Sequence, residues 1–239
     1  MPVPFSVAVE LQRRLGFAPP NRVLSAVLGE IFSSRTAVAS SFGPESAVLL
    51  HLVAEIDAAT PVLFVDTGRH FRETLEYRDL LIDHLGLRDV RSVGPSAEDV
   101  ARLDADFSRA TWDPDGCCAF RKIAPLKQAL SGFDAWVTGR KRFQARTRLD
   151  LPVFEHDGDH VKINPLASWT LNDISDYVAV HRLPPHPLAI RGYPSIGCAP
   201  CTSTVRDGES RRAGRWRGSE KTECGIHRSP SYQPEKSSP

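Results

Sequence analysis

This 239-residue sequence has few sulfur-containing residues and no long hydrophobic run. Its positive and negative charges are almost equal in number. There is one methionine, there are five cysteines, and 30 basic against 29 acidic residues leave a formal net charge of +1. No apolar run is long enough to span a membrane, and the balanced charge gives no reason to expect nucleic-acid or membrane partners. Residues 1–4 (MPVP) lack the basic start and apolar core of a secretory leader, so we expect a cytoplasmic protein.

The remaining composition is that of an ordinary globular protein. Hydrophobic residues make up 41% and charged residues 25% of the chain, which is long enough to bury one full core. We expect a single domain over residues 1–228. The Ser- and Pro-rich residues 229–239 have the composition of a disordered tail.

The few cysteines fall into two close pairs and one isolated thiol: Cys117 with Cys118, Cys198 with Cys201, and Cys224. Four soft thiolate donors in two pairs are what a tetrahedral zinc site or an iron-sulfur cluster requires. An odd cysteine count in a reducing compartment argues against disulfides. The spacing leaves zinc and iron-sulfur both open, and it leaves Cys224 over for reactive chemistry.

Strand and helix patterns alternate along the chain. Short buried runs at residues 36–40, 61–68, 89–93 and 135–139 predict strands, and amphipathic segments between them predict helices. Asn21 and Ser168 are candidate N-caps of two of these helices, and Pro125 predicts a kink in the helix over 121–130. Residues 153–163 predict a hairpin that turns at Asp157-Gly158. This alternation favours an α/β fold with an open, mostly parallel sheet and helices on both faces, in which ligands bind beyond the carboxyl ends of the strands.

Hydroxyls, glycines and cations follow three of these strands, in residues 40–45 (SSFGPE), 66–69 (DTGR) and 138–142 (TGRKR). The first of these turns leads into a helix N-terminus, where free N–H groups and the helix dipole favour phosphate. Two basic stretches, residues 140–148 and 206–217, could converge on one small polyanion. Together these features predict a nucleotide site.

The motifs carry a family resemblance. Cys117-Cys118 with Lys122, the Cys198/Cys201 pair and the terminal E-C-G-I-H of residues 223–227 resemble the assimilatory adenosine 5'-phosphosulfate (APS) reductases. These belong to the wider sulfonucleotide reductase family, whose other branch takes the 3'-phosphorylated substrate (PAPS). The resemblance spans roughly residues 35 to 228. It implies an adenine nucleotide alpha hydrolase-like, or PP-loop-like, fold. Because Cys224 lies only a few residues before the Ser- and Pro-rich tail, we also expect a mobile C-terminal segment.

The resemblance also implies a thiol-based reduction. Cys224 would attack the sulfur of APS, expel AMP and become an S-sulfocysteine, which thioredoxin or a glutaredoxin-like thiol donor resolves to release sulfite. Cys117, Cys118, Cys198 and Cys201 would hold a 4Fe-4S cluster rather than zinc. The residues that carry over as substrate contacts are Ser40, Ser41, Gly43, Lys122, Gly139, Arg142, Arg148, Arg212, Arg215 and His227.

Two alternatives stay open from the sequence. One is a reductase that accepts both APS and PAPS. The other is a zinc-stabilised nucleotide- or RNA-binding module whose basic stretches grip phosphates. The first turn lacks the S-G-G-x-D-S of ATP pyrophosphatases, which makes ATP cleavage less expected.

Overall fold

The structure, a computed structural model, describes residues 3–227. The predicted tail, residues 229–239, lies outside the described residues. None of the helices within residues 3–227 combines the length and apolarity needed to cross a membrane.

The described residues form one six-stranded sheet. Its strands are β1 Thr36–Ser40, β2 Val62–Val65, β3 Val90–Val93, β4 Ala135–Thr138, β5 Phe154–Asp157 and β6 His160–Ile163. Their order across the sheet is β3-β2-β1-β4-β6-β5, and every neighbouring pair is parallel except β5 with β6. The predicted open, mostly parallel sheet is confirmed. The β5–β6 turn contains Gly158 at φ +64°, in the left-handed region that glycine enters without strain.

Helices cover both faces of the sheet. They are α1 Phe5–Leu15, α2 Pro20–Ser25, α3 Ser46–Asp57, α4 Arg72–Leu85, α5 Ala97–Leu103, α6 Arg109–Trp112, α7 Pro114–Cys118, α8 Ala124–Leu130 and α9 Leu171–Val180. Consecutive strand residues point to opposite faces, so Val38 of β1 packs in the larger core with α2, α3 and α4. Its neighbour Ala37 packs with Trp136 and with Leu126 of α8 in the smaller core.

Two helices begin at residues other than those predicted, one because of a proline and the other because of a threonine cap. Asn21, which the sequence suggests as an N-cap, lies inside α2, because Pro20 occupies the first helical turn, where its missing N–H costs nothing. At α9 the cap is Thr170 rather than Ser168. The Thr170 side chain accepts from the N–H of Asp173, and the Asp173 carboxylate accepts from that of Thr170.

The helical segment that carries the first cysteine pair contains a widened turn. Residues Ala119–Ile123 are π-helical and connect α7 to α8. Pro125, just beyond this turn, has no N–H to donate to the carbonyl four residues earlier, so the regular α pattern cannot continue through it. The kink predicted at Pro125 therefore takes the form of a π turn, a feature common at functional sites. The turn itself holds the buried side chains of Arg121 and Lys122.

The connection after α9 is pinned to α4 by a fully buried histidine. His186 Nε2 lies 3.2 Å from Thr74 Oγ1, and its Nδ1 accepts the Leu188 N–H at 3.1 Å. Burial lowers the pKa of His186 to about 4, and the nearby Glu73 carboxylate only partly opposes this. The imidazole is therefore held neutral in the folded protein.

This neutral histidine makes stability depend on pH. Between the ordinary histidine pKa of 6.5 and about 4, the unfolded chain binds a proton that the folded chain excludes, so stability falls as pH drops through this range. The loss for full protonation is roughly 3 kcal/mol. Urea denaturation of wild type and His186→Asn between pH 7 and 4 should show wild type losing about that much more stability than the variant. A difference between the two that does not change with pH would contradict this account.

Candidate active site

A cavity of about 240 Å³ opens at the carboxyl ends of β1 and β4. The structure brings to it the predicted nucleophile and every predicted substrate contact except one. The predicted residues that line it are Ser40, Ser41, Gly43, Lys122, Gly139, Arg148, Arg212, Arg215, Cys224 and His227. The exception is Arg142.

The turn after β1 is rigidly built. Phe42 adopts φ +48°, is fully buried and packs edge-to-face on Phe64 with ring centroids 5.5 Å apart. Its N–H donates to Ser40 Oγ at 3.2 Å, and the Gly43 N–H donates to Ser46 Oγ at 2.9 Å. Both of these amides and the Ser40 hydroxyl are thus engaged inside the turn. Ser41 lines the cavity, and its hydroxyl has no hydrogen-bond partner within residues 3–227, so it is the hydroxyl open to a ligand.

The Glu45 carboxylate connects the turn after β1 to the loop after β4 and to the segment that contains Arg211. Glu45 accepts from Lys141 Nζ at 2.8 Å, from Gln144 Nε2 at 2.8 Å and from Arg211 at 3.2 Å. Burial opposes ionisation of Glu45, but the Lys141 charge and these hydrogen bonds hold the pKa of its carboxyl below its ordinary value. Sequence reasoning missed this group because the partners of Glu45 lie 96 to 166 positions away along the chain.

The basic loop after β4 presents different residues to the cavity than expected. Arg142 donates from Nε to the Leu151 carbonyl at 3.0 Å and from its backbone N–H to the Ala167 carbonyl, so it braces the loop outside the cavity. Arg140 lines the cavity instead and forms an ion pair with Glu155. Burial lowers the pKa of Arg140 to about 10, which leaves it charged at neutral pH.

The turn after β2 holds the second cysteine pair rather than the cavity. Thr67 Oγ1 lies 3.3 Å from Cys198 Sγ, and the Arg69 carbonyl accepts the Ala199 N–H at 2.7 Å. Residues 66–69 do not line the cavity, although the sequence suggests them for its rim. Their role in this structure is to support the loop that carries Cys198 and Cys201.

A buried lysine links the cysteine pairs to the isolated thiol. The Lys122 ammonium is buried near Cys118, Cys198 and Cys224, and its positive charge acts on all three sulfurs. Burial raises the pKa of Cys118 to about 11. Burial acts in the same direction on Cys198, but the Lys122 charge and the hydrogen bond with the Thr67 hydroxyl outweigh it, so the pKa of Cys198 is lowered.

The donor set of the two pairs fits a thiolate-ligated group. Cys117, Cys118 and Cys198 are buried and Cys201 is half-buried, and a buried ammonium and a hydroxyl lie beside them to balance negative sulfur. Within residues 3–227, no three His, Cys, Asp or Glu side chains are gathered as ligands of a single metal ion. The metal-ligand role of the four cysteines therefore stays a prediction.

The segment that carries Cys224 is docked against the cavity. Lys221 pairs with Asp115 of α7, and Ile226 packs on the smaller core. The His227 ring stacks on Trp136 with centroids 5.6 Å apart and an interplanar angle of 8°, while its carbonyl accepts from Lys162 Nζ at 3.4 Å. The mobility expected for this segment stays a prediction.

The buried position of His227 favours its neutral form. Burial, reinforced by the nearby charges of Arg140 and Lys162, lowers the pKa of His227 well below its ordinary value. A neutral imidazole offers a hydrogen bond but no positive charge. The cationic groups that line the cavity are therefore its arginines, Lys122 and Lys141, the last of which is paired with Glu45.

The structure is thus an α/β protein with a mostly parallel sheet covered on both faces. A cation-lined cavity lies at the carboxyl edge of this sheet, and a thiol on a docked segment faces it. The model of the phosphoadenosine phosphosulfate reductase domain matches residues 35–204 of the chain. An adenosine 5'-phosphosulfate reductase of Mesorhizobium japonicum is 48% identical over 220 residues, which are 92% of this chain and 87% of the relative. The chain belongs to the phosphoadenosine phosphosulfate reductase family and is an oxidoreductase acting on a sulfur group.

Two further similarities place it within this family. A phosphoadenosine 5'-phosphosulfate reductase of Gloeobacter violaceus is 41% identical over 211 residues, covering 84% of this chain and 87% of the relative. The crystal structure of a phosphoadenylyl-sulfate reductase from Candida auris, a phosphate complex, superimposes with a TM-score of 0.71 at 25% identity. The superposition covers 86% of this chain and 99% of the Candida auris chain.

Proposed function

We propose that this protein reduces adenosine 5'-phosphosulfate to sulfite and AMP in assimilatory sulfate reduction, with Cys224 as the nucleophile. The observation that carries the proposal is the shared cavity. Cys224 lines it together with Lys122, Arg212 and Arg215, so one thiol and three cations share a cavity at the carboxyl edge of the sheet. The name of the Mesorhizobium japonicum relative supports APS as the substrate.

The first step is attack of the Cys224 thiolate on the sulfur of the phosphosulfate. A bond forms between Sγ and that sulfur, the bond from the sulfur to the bridging oxygen breaks, and its electron pair leaves with AMP. The enzyme is left with an S-sulfonate on Cys224. Lys122 and Arg212 both place positive charge near Cys224, which favours the approach of the anionic substrate.

The second step needs a dithiol reductant, for which we propose thioredoxin or a glutaredoxin-like donor. One of its thiolates attacks Sγ of Cys224, and sulfite leaves with the electron pair of the sulfur–sulfur bond. Its second thiol then resolves the mixed disulfide and regenerates Cys224. Two electrons pass from the dithiol to sulfur, so the reductant ends as a disulfide.

The nucleotide would lie along the walls already described. We propose that Ser41 and the backbone of Gly43 and Gly139 contact it, since all three line the cavity at the carboxyl ends of β1 and β4. Ser40 supports this turn from within. Arg142, braced on Leu151, is not proposed as a contact.

Cys117, Cys118, Cys198 and Cys201 are proposed to hold a 4Fe-4S cluster. A cluster held by these four cysteines would supply an electrostatic contribution in the region of the buried Lys122 ammonium. Lys122 lines the cavity, and its charge also acts on Cys118, Cys198 and Cys224. We therefore propose that its ammonium connects the cluster site to the site of the thiol reaction.

Loss of one proposed ligand should remove the metal. Cys201 is held by the Trp216 N–H, which donates to its carbonyl at 3.0 Å, and a site that closes a long loop couples metal binding to local folding. Cys201→Ser is expected to contain little iron or sulfide and to be cleaved faster by protease near residue 201. Iron and sulfide analysis checks this against the matched variant Cys224→Ser, which should keep its iron. Full iron content in Cys201→Ser would contradict the ligand assignment.

The substrate branch is decided by kinetics. Relatives of both names match this chain, so dual use of APS and PAPS is the second candidate. A ratio of kcat/KM strongly in favour of APS supports the proposal, and similar values for both nucleotides support dual use. Sulfite release from neither nucleotide with reduced thioredoxin would overturn the proposed function, and salt-sensitive RNA binding by a zinc-loaded protein would point to the binding-module alternative.

A further inference from the structure

We propose that Glu223 is a positioning residue for the thiol reaction, a latch that Arg148 and Arg212 close. The inference rests on the proposed function, because it concerns how Cys224 is set in the cavity. It also changes the role of Arg148, which the sequence suggests as a substrate contact.

The latch is a bidentate ion pair inside the protein. Arg148 donates from Nε to Glu223 Oε1 and from Nη2 to Glu223 Oε2, both at 2.8 Å. The two side chains are 10% and 18% exposed, so water screens the pair only weakly. Burial alone would favour the neutral acid, but the arginines hold the pKa of the Glu223 carboxyl below its ordinary value. The latch is therefore closed at neutral pH.

Arg212 also holds Glu223, together with the preceding residue Thr222. Its Nη2 donates to the Thr222 carbonyl at 2.9 Å and to Glu223 Oε2 at 3.2 Å. Both the backbone and the side chain immediately before Cys224 are thus tied to the wall that carries the predicted substrate cations.

The remaining donor of Arg148 is also engaged. Its Nη1 donates to Gln144 Oε1 at 2.6 Å, so all three guanidinium nitrogens of Arg148 have protein acceptors. With its fork occupied by Glu223, Arg148 cannot grip a phosphate or sulfate in the same bidentate way. Arg148 therefore serves the segment that carries Cys224, while Lys122 and Arg215 stay with the cavity.

The residues that follow Cys224 are also closely packed. Gly225 adopts φ +89°, and a Cβ at this position would lie 2.9 Å from Ile123 Cδ1. After the thiol, Ile226 packs on the smaller core and the His227 ring stacks on Trp136, and before the thiol the ion pair of Glu223 holds the segment. Holding a nucleophile at both flanks contributes to rate through orientation, and a small misplacement is costly.

The test compares Glu223→Gln with Glu220→Gln, a matched change of an exposed glutamate in the same segment that has no ion pair among the described residues. Glu223→Gln should lower kcat for sulfite formation by roughly 10- to 100-fold. The KM for APS and the Kd for AMP should stay within about threefold of wild type, since the variant keeps the cavity cations. Trypsin cleavage after Lys221, read by mass spectrometry, should speed up in Glu223→Gln and not in Glu220→Gln. Arg148→Ala should copy Glu223→Gln, and the exchange Glu223→Arg with Arg148→Glu should restore trypsin protection and part of kcat.

Three results would overturn the latch. An Arg148→Ala variant that loses AMP affinity as strongly as kcat would make Arg148 a substrate contact. A Glu223→Gln variant with a lower KM and an undiminished kcat would make Glu223 a competitor of the substrate. Unchanged trypsin cleavage and unchanged kcat would remove its positioning role. The protease and AMP readouts hold even if wild type fails to turn over APS, so failure of the latch and failure of the proposed function remain distinguishable.

Discussion

Replacing Cys224 with serine is expected to abolish sulfite formation, with a loss of at least about 10⁴-fold in kcat, because the variant lacks the nucleophile of the covalent step. A serine hydroxyl is almost fully protonated at neutral pH and is a poor nucleophile. An S-sulfonate that a thiol could cleave cannot form on oxygen. The measurement is sulfite release from APS with reduced thioredoxin in excess.

The same variant should otherwise behave as wild type. Serine is close in size to cysteine, and Cys224 is only half-buried, so the docked segment should keep its place. Iron content and AMP affinity are therefore expected to match wild type. Loss of iron in Cys224→Ser would contradict the separation between the four paired cysteines and the reactive thiol, and sulfite release at the wild-type rate would rule out Cys224 as the nucleophile.

Replacing Arg121 with methionine should cost about 3–5 kcal/mol of unfolding free energy, the effect of leaving one partner of a buried ion pair alone. Arg121 and Asp104 have side chains 2% and 0% exposed, with Nη2 and Oδ2 2.7 Å apart. Arg121 Nη1 also donates to the Thr67 carbonyl at 2.7 Å, beside the hydroxyl that contacts Cys198. The same substitution should therefore loosen the support of the second cysteine pair.

A matched surface pair gives the control for this prediction. Arg102 and Asp99 also pair at short range, but their side chains are 62% and 43% exposed, so Arg102→Met should cost less than about 1 kcal/mol. The double variant Arg121→Met with Asp104→Leu should recover part of the loss, because it removes the stranded carboxylate. Urea denaturation followed by circular dichroism measures all three. A cost for Arg121→Met no larger than that for Arg102→Met would contradict the account.

The sheet and its ligand-binding edge follow from local sequence signals. The short apolar runs of β1, β2 and β4 are buried on both faces, and each ends in polar or glycine residues, which fixes strand positions to within a few residues. Helix starts are less determined. Thr170 and Ser168 are both plausible caps, and only the hydrogen bond from the Asp173 N–H to the Thr170 side chain selects between them.

The division of labour among the arginines could not be predicted, because it depends on distant partners. Arg140 and Arg142 stand two positions apart in one basic loop, yet one lines the cavity and the other reaches the Leu151 carbonyl. Arg148 meets Glu223 across 75 positions of sequence. Charge patterns show that a cation is present, but the packed structure decides what it holds.

The turn after β2 shows the same limit at a motif. Its threonine, glycine and arginine have the composition of a phosphate-binding turn, and the strand does end at the expected edge of the sheet. This turn instead accepts the Ala199 N–H at the Arg69 carbonyl and shares a hydrogen bond between Thr67 Oγ1 and Cys198 Sγ. Position at the carboxyl edge is thus predictable from a parallel fold, whereas the partner at that edge is not.

The central claim is that Cys224 receives the sulfonate group from the nucleotide, and one measurement tests it most directly. The protein is incubated with APS and no thiol reductant, then analysed by intact-mass and peptide mass spectrometry. The account predicts one added SO₃ group per chain, located on Cys224, with AMP released in equal amount and with sulfite appearing when reduced thioredoxin is added. Sulfite release upon addition of thioredoxin without any adduct on Cys224, or with the adduct on another cysteine, would contradict it.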